Sequence, residues 1–171
     1  MQRRGFLLFA ASSASLALLS LHGCGFALRK APNFAFTTLY SDLPESSPLG
    51  VELRRSLQGT GKVRVISDAR RIGEAQVVLE VLQEQREKVV LSLNSTGQVR
   101  EFQLRLRFRF RLRTLAGKEL IAPSEIALQR DISFNESAVL AKEAEENLLY
   151  RDMQSDVVQQ VMRRLAAVTA L

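Results

Sequence analysis

The sequence predicts an α+β fold: a two-layer sandwich in which two helices pack on one face of a mixed sheet of four to five strands. Three observations support this prediction. Residues 101–113 alternate between apolar side chains and mostly arginine, which is the pattern of a strand with one buried face. Residues 33–66 give a strand, a helix and a strand, so a crossover joins the two strands and they pair in parallel. Residues 137–167 carry an apolar stripe at helical spacing, as expected for a helix laid over a sheet.

Composition limits both the architecture and the chemistry. The chain has 171 residues, enough for one domain with a sizeable core, and its hydrophobic fraction of 46% is ordinary for a globular protein. Without the first 23 residues, 22 basic and 18 acidic residues remain, an excess that suits phosphate-bearing partners without identifying them. One cysteine, Cys24, and one histidine, His22, exclude an internal disulfide framework and a cysteine-rich metal site.

The first 23 residues have the pattern of an export signal. Arg3 and Arg4 precede an apolar stretch, residues 6–21, that is shorter than the roughly 20 residues needed to span a bilayer. The general secretory route and the twin-arginine route both stay open, because the Arg3-Arg4 pair resembles a twin-arginine signal.

Residues 21–24, Leu-His-Gly-Cys, resemble a bacterial lipobox, where a signal peptidase cuts before the cysteine and acyl chains are attached to it. We therefore predict that residues 1–23 are a lipoprotein-type signal peptide, that Cys24 is the lipid attachment site and that residues 24–171 form a single domain. The alternative is an ordinary signal peptide followed by a chance cysteine.

The first elements of the domain are placed by their end signals. Residues 33–40 are rich in aromatic and β-branched side chains and predict a strand. Ser47 is a natural N-cap with Pro48 in the first helical position, and the helix is expected to end at Gly59. Residues 62–66 predict the second strand. The buried stripe of the helix consists of leucines at four-residue spacing: Leu49, Leu53 and Leu57.

Residues 75–93 predict a long third strand. Its apolar phase is interrupted near the middle, which suggests either a bulge or a stretch that extends beyond the core. Residues 94–97, Asn-Ser-Thr-Gly, form the turn into the next strand. A register that pairs Leu93 with Gln98 satisfies both faces of the hairpin. It predicts three further cross-strand pairs: Glu84 with Arg107, Glu80 with Arg111 and Val89 with Phe102.

The fourth strand carries an arginine at every odd position from 105 to 113, a set named here the arginine ladder. Two interpretations of the ladder stay open: a solvated face with cross-strand ion pairs, and a basic surface for phosphates. RNA binding is disfavoured, because base stacking needs aromatic side chains on the same exposed face as the basic ones. Here the aromatic residues occupy the opposite phase.

The last strand and helix follow a turn at residues 116–117. Residues 120–134 predict an edge strand, since Pro123 has no N–H to donate. Asn135 or Ser137 then caps a helix that runs to about residue 167 and whose polar N-terminal third is expected to project past the sheet. The rest of the helix carries its apolar stripe at Leu149, Met153, Val157, Val161 and Leu165.

The mature sequence lacks a catalytic constellation. Without a histidine it has no Ser-His-Asp or Cys-His arrangement, and Gly59-Thr60-Gly61 lacks the rest of a nucleotide-binding fingerprint. We therefore predict that the protein is not an enzyme, holds no metal, has no cofactor beyond the covalent lipid at Cys24 and binds no nucleic acid.

Three stretches carry a family resemblance. They are residues 24–29 (CGFALR), residues 96–104 (TGQVREFQL) in the hairpin, and residues 139–145 (VLAKEAE), which are followed by the stripe at 153–165. Their order, spacing and element types cover nearly the whole mature chain, and together they resemble the LPS-assembly lipoprotein family (LptE).

The resemblance implies an outer-membrane lipoprotein that faces the periplasm. It would sit as a plug inside the β-barrel translocon LptD, assist assembly of that barrel and bind lipopolysaccharide on its way to the cell surface. The alternative is a structural, periplasm-facing lipoprotein of another envelope assembly.

The resemblance also implies lipopolysaccharide contacts from basic residues at the 94–97 turn and early in the last helix. Lys142 matches the helix position and is expected to be exposed. The turn position falls on Ser95, which is not basic, so Arg100 is the nearest substitute and is expected on the side of the arginine ladder. Arg105 is a third candidate, beside a cross-strand acid.

Overall fold

The computed structural model describes residues 32–171, so the predicted signal peptide and Cys24 lie outside the described residues. The helices and strands are β1 (Thr38–Ser41), α1 (Pro48–Gly59), β2 (Arg64–Ile66), β3 (Val77–Leu93), β4 (Val99–Thr114), β5 (Glu119–Ser133) and α2 (Val139–Ala166). The strands form one mixed sheet in the order β2-β1-β3-β4-β5, and α1 and α2 share one hydrophobic core against it. The predicted α+β class is confirmed, with five strands.

The first strand is shorter than predicted. Residues 33–40 were expected to pair, but β1 begins only at Thr38. The rings of Phe34 and Phe36 lie 5.6 Å apart, and Phe36 is 2% exposed. The aromatic density of this stretch therefore reflects packing into the core rather than pairing in the sheet.

Helix α1 follows its sequence signals. The Ser47 hydroxyl accepts a hydrogen bond from the Gly50 N–H at 3.2 Å, and Pro48 is the first helical residue. The helix ends at Gly59 as predicted, although the residue with left-handed backbone is Gly61, whose φ is 69°. The predicted leucine stripe is buried: Leu49, Leu53 and Leu57.

β1 lies between β2 and β3 and runs parallel to both, which confirms the predicted crossover. β1 pairs with β3 only at Val77–Leu79. Beyond that point the Asp42 carboxylate, instead of a strand carbonyl group, accepts the hydrogen bond of the Val81 N–H at 2.9 Å. Within residues 32–171, the rest of β3 has no strand on that side. A 3-10 helix, Ala69–Glu74, links β2 to β3 and was not predicted.

The β3–β4 hairpin contains the predicted bulge, at Leu82. The predicted register holds from Val77 to Val81, including Glu80 opposite Arg111. Three other predicted pairs are wrong because one extra residue displaces everything that follows it. In the structure Leu93 lies opposite Val99, Glu84 opposite Phe108 and Val89 opposite Gln103.

The bulge also exchanges the two faces of β3. Beyond it, Arg86 and Lys88 turn toward α2: Arg86 Nη2 donates to Gln154 Oε1 at 3.0 Å, and Lys88 Nζ donates to Glu146 Oε2 at 2.6 Å. Beyond the bulge, the side chains opposite the arginine ladder are Gln83, Gln85 and Glu87.

Helix α2 lies over β4 and β5. Asn135 caps the short 3-10 turn that precedes the helix, where its Oδ1 accepts the Ser137 N–H at 3.0 Å. Leu149 is only partly buried, whereas the rest of the predicted stripe is fully buried: Met153, Val157, Val161 and Leu165. These side chains share the hydrophobic core with the even-numbered residues of β4 from position 104 to position 112, all 0% exposed: Leu104, Leu106, Phe108, Phe110 and Leu112.

The arginine ladder is paired at one end and open in the middle. Glu80 accepts hydrogen bonds from both Arg111 and Arg113. Arg107 and Arg109 are exposed, and no carboxylate of residues 32–171 lies within 4 Å of them. The ion-pair interpretation therefore holds for one end of the ladder.

β5 is the edge strand that Pro123 predicts. Arg130 ties it to α2, with Nη2 3.0 Å from Asp156 Oδ2. In the described part of the chain, no helix combines the length and the apolar character that crossing a membrane requires.

Glu80→Gln should lower the free energy of unfolding at neutral pH by about 1–2 kcal/mol, because it removes charge-assisted hydrogen bonds to two arginines. Burial alone would raise the pKa of Glu80, but Arg113 and Arg111 outweigh it and hold the pKa below its ordinary value of 4.5. The contribution is therefore complete above about pH 4.5 and is lost as the pH falls through the lower folded-state pKa. Urea titrations of both proteins from pH 7 to pH 3 should converge in acid. A constant difference would contradict this assignment.

Candidate functional site

A hollow of about 230 Å³ lies under the start of α2, where the second half of β3, the start of β4 and the end of β5 lie side by side. It combines an apolar wall with two lysines. The wall consists of Phe102, Ile132, Phe134 and Val139, and the polar lining consists of Lys88, Lys142, Ser133, Glu143 and Glu146. The N-terminal third of α2 therefore lies over the end of the sheet and does not project past it, contrary to the prediction.

Lys88 reaches the hollow because of the bulge in β3. Its ammonium lies 4.3 Å from the centroid of the Phe102 ring and 2.6 Å from Glu146 Oε2. Phe102 in turn contacts Phe134 edge to face, with ring centroids 5.3 Å apart. The lysine is thus fixed by a cation–π contact on one side and a carboxylate on the other.

Lys142 lines the same hollow from the first turns of α2. Its Nζ lies 3.0 Å from Ser133 Oγ and 2.8 Å from Glu145 Oε2. The side chain is only 20% exposed, so the expectation of an exposed lysine is wrong. The reason is the hydrogen bond to the end of β5, which draws the ammonium against the sheet.

Tyr150 fastens this part of α2 to β3. Its hydroxyl donates to the Glu87 carbonyl oxygen at 2.7 Å, and the Arg86 guanidinium lies 5.5 Å from the centre of its ring. Burial, followed by the charge of Glu146, raises the pKa of Tyr150, so the hydroxyl stays protonated and continues to donate at neutral pH.

The hollow has the chemistry of a site for an anionic amphiphile. Two ammonium groups can donate to phosphate oxygens, while the aromatic and aliphatic wall can cover an adjacent apolar chain. Each ammonium already contacts a carboxylate, so an incoming phosphate would replace Glu146 at Lys88 and Glu145 at Lys142.

The other two predicted site residues lie outside this hollow. Arg100 is exposed and lines a neighbouring hollow of about 340 Å³, which shares the Phe134 ring with the first. Its placement beside the arginine ladder is wrong, because position 100 has the even phase of Phe102. Arg105 lies on the ladder face, away from the helices, where its Nε donates to Gln103 Oε1 at 2.8 Å. Glu87 is its cross-strand neighbour.

Lys88 was not among the predicted site residues. The available signal was the interrupted phase of β3: an extra residue before position 83 transfers the even-numbered side chains to the buried face. Applied to the pattern, that shift places Lys88 beside Phe102 and under α2.

The similarity to known proteins covers most of the described residues. The family model LptE, described as lipopolysaccharide-assembly, matches residues 36–165, which include every residue of the hollow. A Yersinia pestis protein named LPS-assembly lipoprotein LptE is 31% identical over 159 residues, 91% of this chain and 74% of that protein. A protein of the same name from Pectobacterium atrosepticum is 28% identical over 156 residues, 90% of this chain and 82% of that protein. The solution NMR structure of an uncharacterized lipoprotein B from Nitrosomonas europaea matches with a TM-score of 0.69 at 35% identity, covering 84% of this chain and 91% of that one.

Proposed function

Since this chain belongs to the LptE family of lipopolysaccharide-assembly proteins, we propose that it is an outer-membrane lipoprotein that binds lipopolysaccharide and both plugs and helps to assemble an LptD-type β-barrel. The resemblance seen in the sequence is confirmed, and with it a role in lipopolysaccharide assembly. The proposal adds the anchor at Cys24, the barrel partner and the binding site. The proposed role is non-catalytic.

The observation that carries the binding proposal is the pairing of Lys88 and Lys142 with an apolar wall in one hollow. The lipid A part of lipopolysaccharide has anionic phosphates next to acyl chains, which match the two kinds of surface. A hollow of about 230 Å³ lies below the range of roughly 300–1,000 Å³ typical of small-molecule pockets. It therefore engages one phosphate and the adjoining chain segment, not a whole lipid.

Arg100 extends this site toward the hairpin turn. It lines the adjoining hollow with Phe134 and Glu136, so a second phosphate can contact it while the first lies between the lysines. Arg105 is separated from both hollows by the sheet, and it serves a binding role only if the arginine ladder also contacts the ligand.

Lys88→Gln and Lys142→Gln should each weaken lipopolysaccharide binding about tenfold, which corresponds to about 1.4 kcal/mol. This is the low end of a charge-assisted hydrogen bond, because each ammonium exchanges one anion for another. The measurement is binding of purified, unlipidated protein to lipopolysaccharide, with thermal melts to verify folding.

Lys118→Gln is the matched control, since Lys118 is an exposed lysine outside the hollow. Arg100→Gln should weaken binding less than either lysine variant, and Arg105→Gln should leave it unchanged. If both hollow variants fold and bind like the wild type, the site lies elsewhere and the ladder face becomes the next candidate.

The barrel partnership makes a separate prediction. Depleting the protein should lower the amount of correctly assembled LptD in the outer membrane, because an unplugged barrel lacks its assembly partner. A tagged, lipidated chain purified from outer membranes should also carry a large β-barrel at equal stoichiometry. Unchanged barrel assembly, with no barrel in the pull-down, would favour the alternative of a structural lipoprotein in another envelope assembly.

A further inference from the structure

The edge of the sheet formed by β2 and its flanking segments concentrates positive charge that the proposed binding site does not use. We name residues 54–74 the basic edge. They hold six basic and two acidic residues, so their excess of four equals the whole excess that the chain has after its first 23 residues. The basic members are Arg54, Arg55, Lys62, Arg64, Arg70 and Arg71.

Three of these arginines, Arg54, Arg64 and Arg71, line one open hollow of about 470 Å³. Two acidic residues, Glu45 and Asp68, line it as well. Arg54 is held in place without being neutralised. Its Nη1 donates to Ser67 Oγ at 3.0 Å and its Nη2 to the Glu45 carbonyl oxygen at 3.4 Å. Among residues 32–171, no carboxylate oxygen lies within 4 Å of its guanidinium.

The remaining charges of the basic edge are only partly balanced. Arg64 and Arg71 share a single carboxylate, Glu74, at 3.1 and 2.7 Å. Hydrogen bonds from Arg71 and then Arg64 lower the pKa of Glu74 to about 2, so it stays ionised, yet two cations still face one anion. The side chain of Arg70 is 91% exposed, and it meets Asp68 at 3.3 Å.

The basic edge lies beside the point where the described residues begin. Lys62 Nζ is 3.5 Å from the Pro32 carbonyl oxygen and 3.3 Å from Asn33 Oδ1. Cys24 precedes Pro32 by eight residues, a contour of at most about 28 Å. A lipid on Cys24, as in the proposed function, therefore keeps Pro32 and the adjoining basic edge within that reach of the bilayer.

We infer that the basic edge docks on the bilayer surface and that its arginines bind the headgroup phosphates of anionic phospholipids. Guanidinium groups suit this role because they donate to two phosphate oxygens at once. Attraction to an anionic surface amounts to about 1 kcal/mol per cation, or about fivefold in the docked population, and decays within a Debye length. Docking would place β2 against the membrane. The turn at residues 94–97 would then lie away from β2, because it is about 50 Å along β3 from Val77.

The test uses the lipidated full chain in vesicles of phosphatidylcholine, with and without phosphatidylglycerol. A fluorophore is attached through Gly73→Cys, where a Cβ would meet no atom within 4 Å, or through Ser95→Cys at the exposed hairpin turn. Headgroup-labelled lipid should quench the fluorophore at position 73 in anionic vesicles at low salt and leave the one at position 95 unquenched. Flotation of the protein with the vesicles shows separately that the lipid at Cys24 anchors the chain, whether or not the basic edge docks.

The triple variant R64Q/R70Q/R71Q should reduce the docked population about a hundredfold, as three cations at about fivefold each require. R107Q/R109Q/R151Q removes equal charge from exposed arginines elsewhere and should not change quenching. A second measurement does not depend on acylation. It compares binding to phosphatidylglycerol vesicles for the same two triple variants made in a Cys24→Ala chain, where only the basic-edge variant should bind more weakly. Quenching that is equal in neutral vesicles, or binding that is equal in the two triple variants, overturns the proposal.

Discussion

Phe108→Ala should lower the free energy of unfolding by about 3–5 kcal/mol. The ring is 0% exposed and lies 5.7 Å from that of Phe110, in the layer where β4 meets α2. Removing it leaves a cavity that neighbouring β4 side chains, fixed by the sheet, fill only in part. Since small domains are stable by roughly 5–15 kcal/mol in total, the variant should retain only part of its stability. Chemical denaturation of the unlipidated protein measures the effect.

Arg107→Ala provides a matched control one residue earlier on the same strand. Arg107 is exposed on the ladder face, and its replacement should change the free energy of unfolding by less than about 0.5 kcal/mol. The two variants therefore test the alternation of β4 directly. Comparable losses from both would show that the ladder face is also packed in solution.

Cys24→Ala should abolish acylation and, with it, stable association with the outer membrane. A single acyl chain gives marginal binding, whereas two or more chains, at about 0.8 kcal/mol per buried CH₂, give a stable anchor. Mass spectrometry of the mature protein detects the lipid, and membrane fractionation detects the anchoring. Ser95→Ala, a change of an exposed residue in the hairpin turn, serves as the control.

Two results would count against the anchor. Acyl chains that persist on the Cys24→Ala protein would show that another residue is modified. A mature wild-type protein that begins at a residue other than Cys24 and carries no lipid would support the ordinary signal peptide instead.

The sequence predicted best where a pattern repeats over many residues. β4 alternates for most of its length, and its even-numbered side chains from position 104 to position 112 are buried as predicted. The α1 cap at Ser47 and the stripe of α2 depend on local chemistry and were also correct. The bounds of β1 were wrong because Phe34 and Phe36 pack into the core without pairing, and composition alone cannot distinguish these two uses of an aromatic residue.

The candidate site was predictable only in part, because it depends on contacts between distant segments. Lys142 could be named from the family resemblance, but its contact with Ser133 on β5 depends on how α2 lies on the sheet. Lys88 depends on the register beyond the bulge. Arg100 and Arg105 lie on opposite sides of the sheet, a separation that the parity of their positions already implies.

The bulge at Leu82 means that β3 has one residue more than an unbroken pairing with β4 needs. Deleting Leu82 would restore an unbroken register, with each later side chain of β3 still opposite the partner it has now. Arg86 and Lys88 would stay under α2, and Glu87 would stay opposite Arg105. The loss of one codon in the regular part of β4 has no such remedy, because it would turn the side chains beyond it to the opposite face. The two strands of one hairpin are therefore under different inherited constraints on their length.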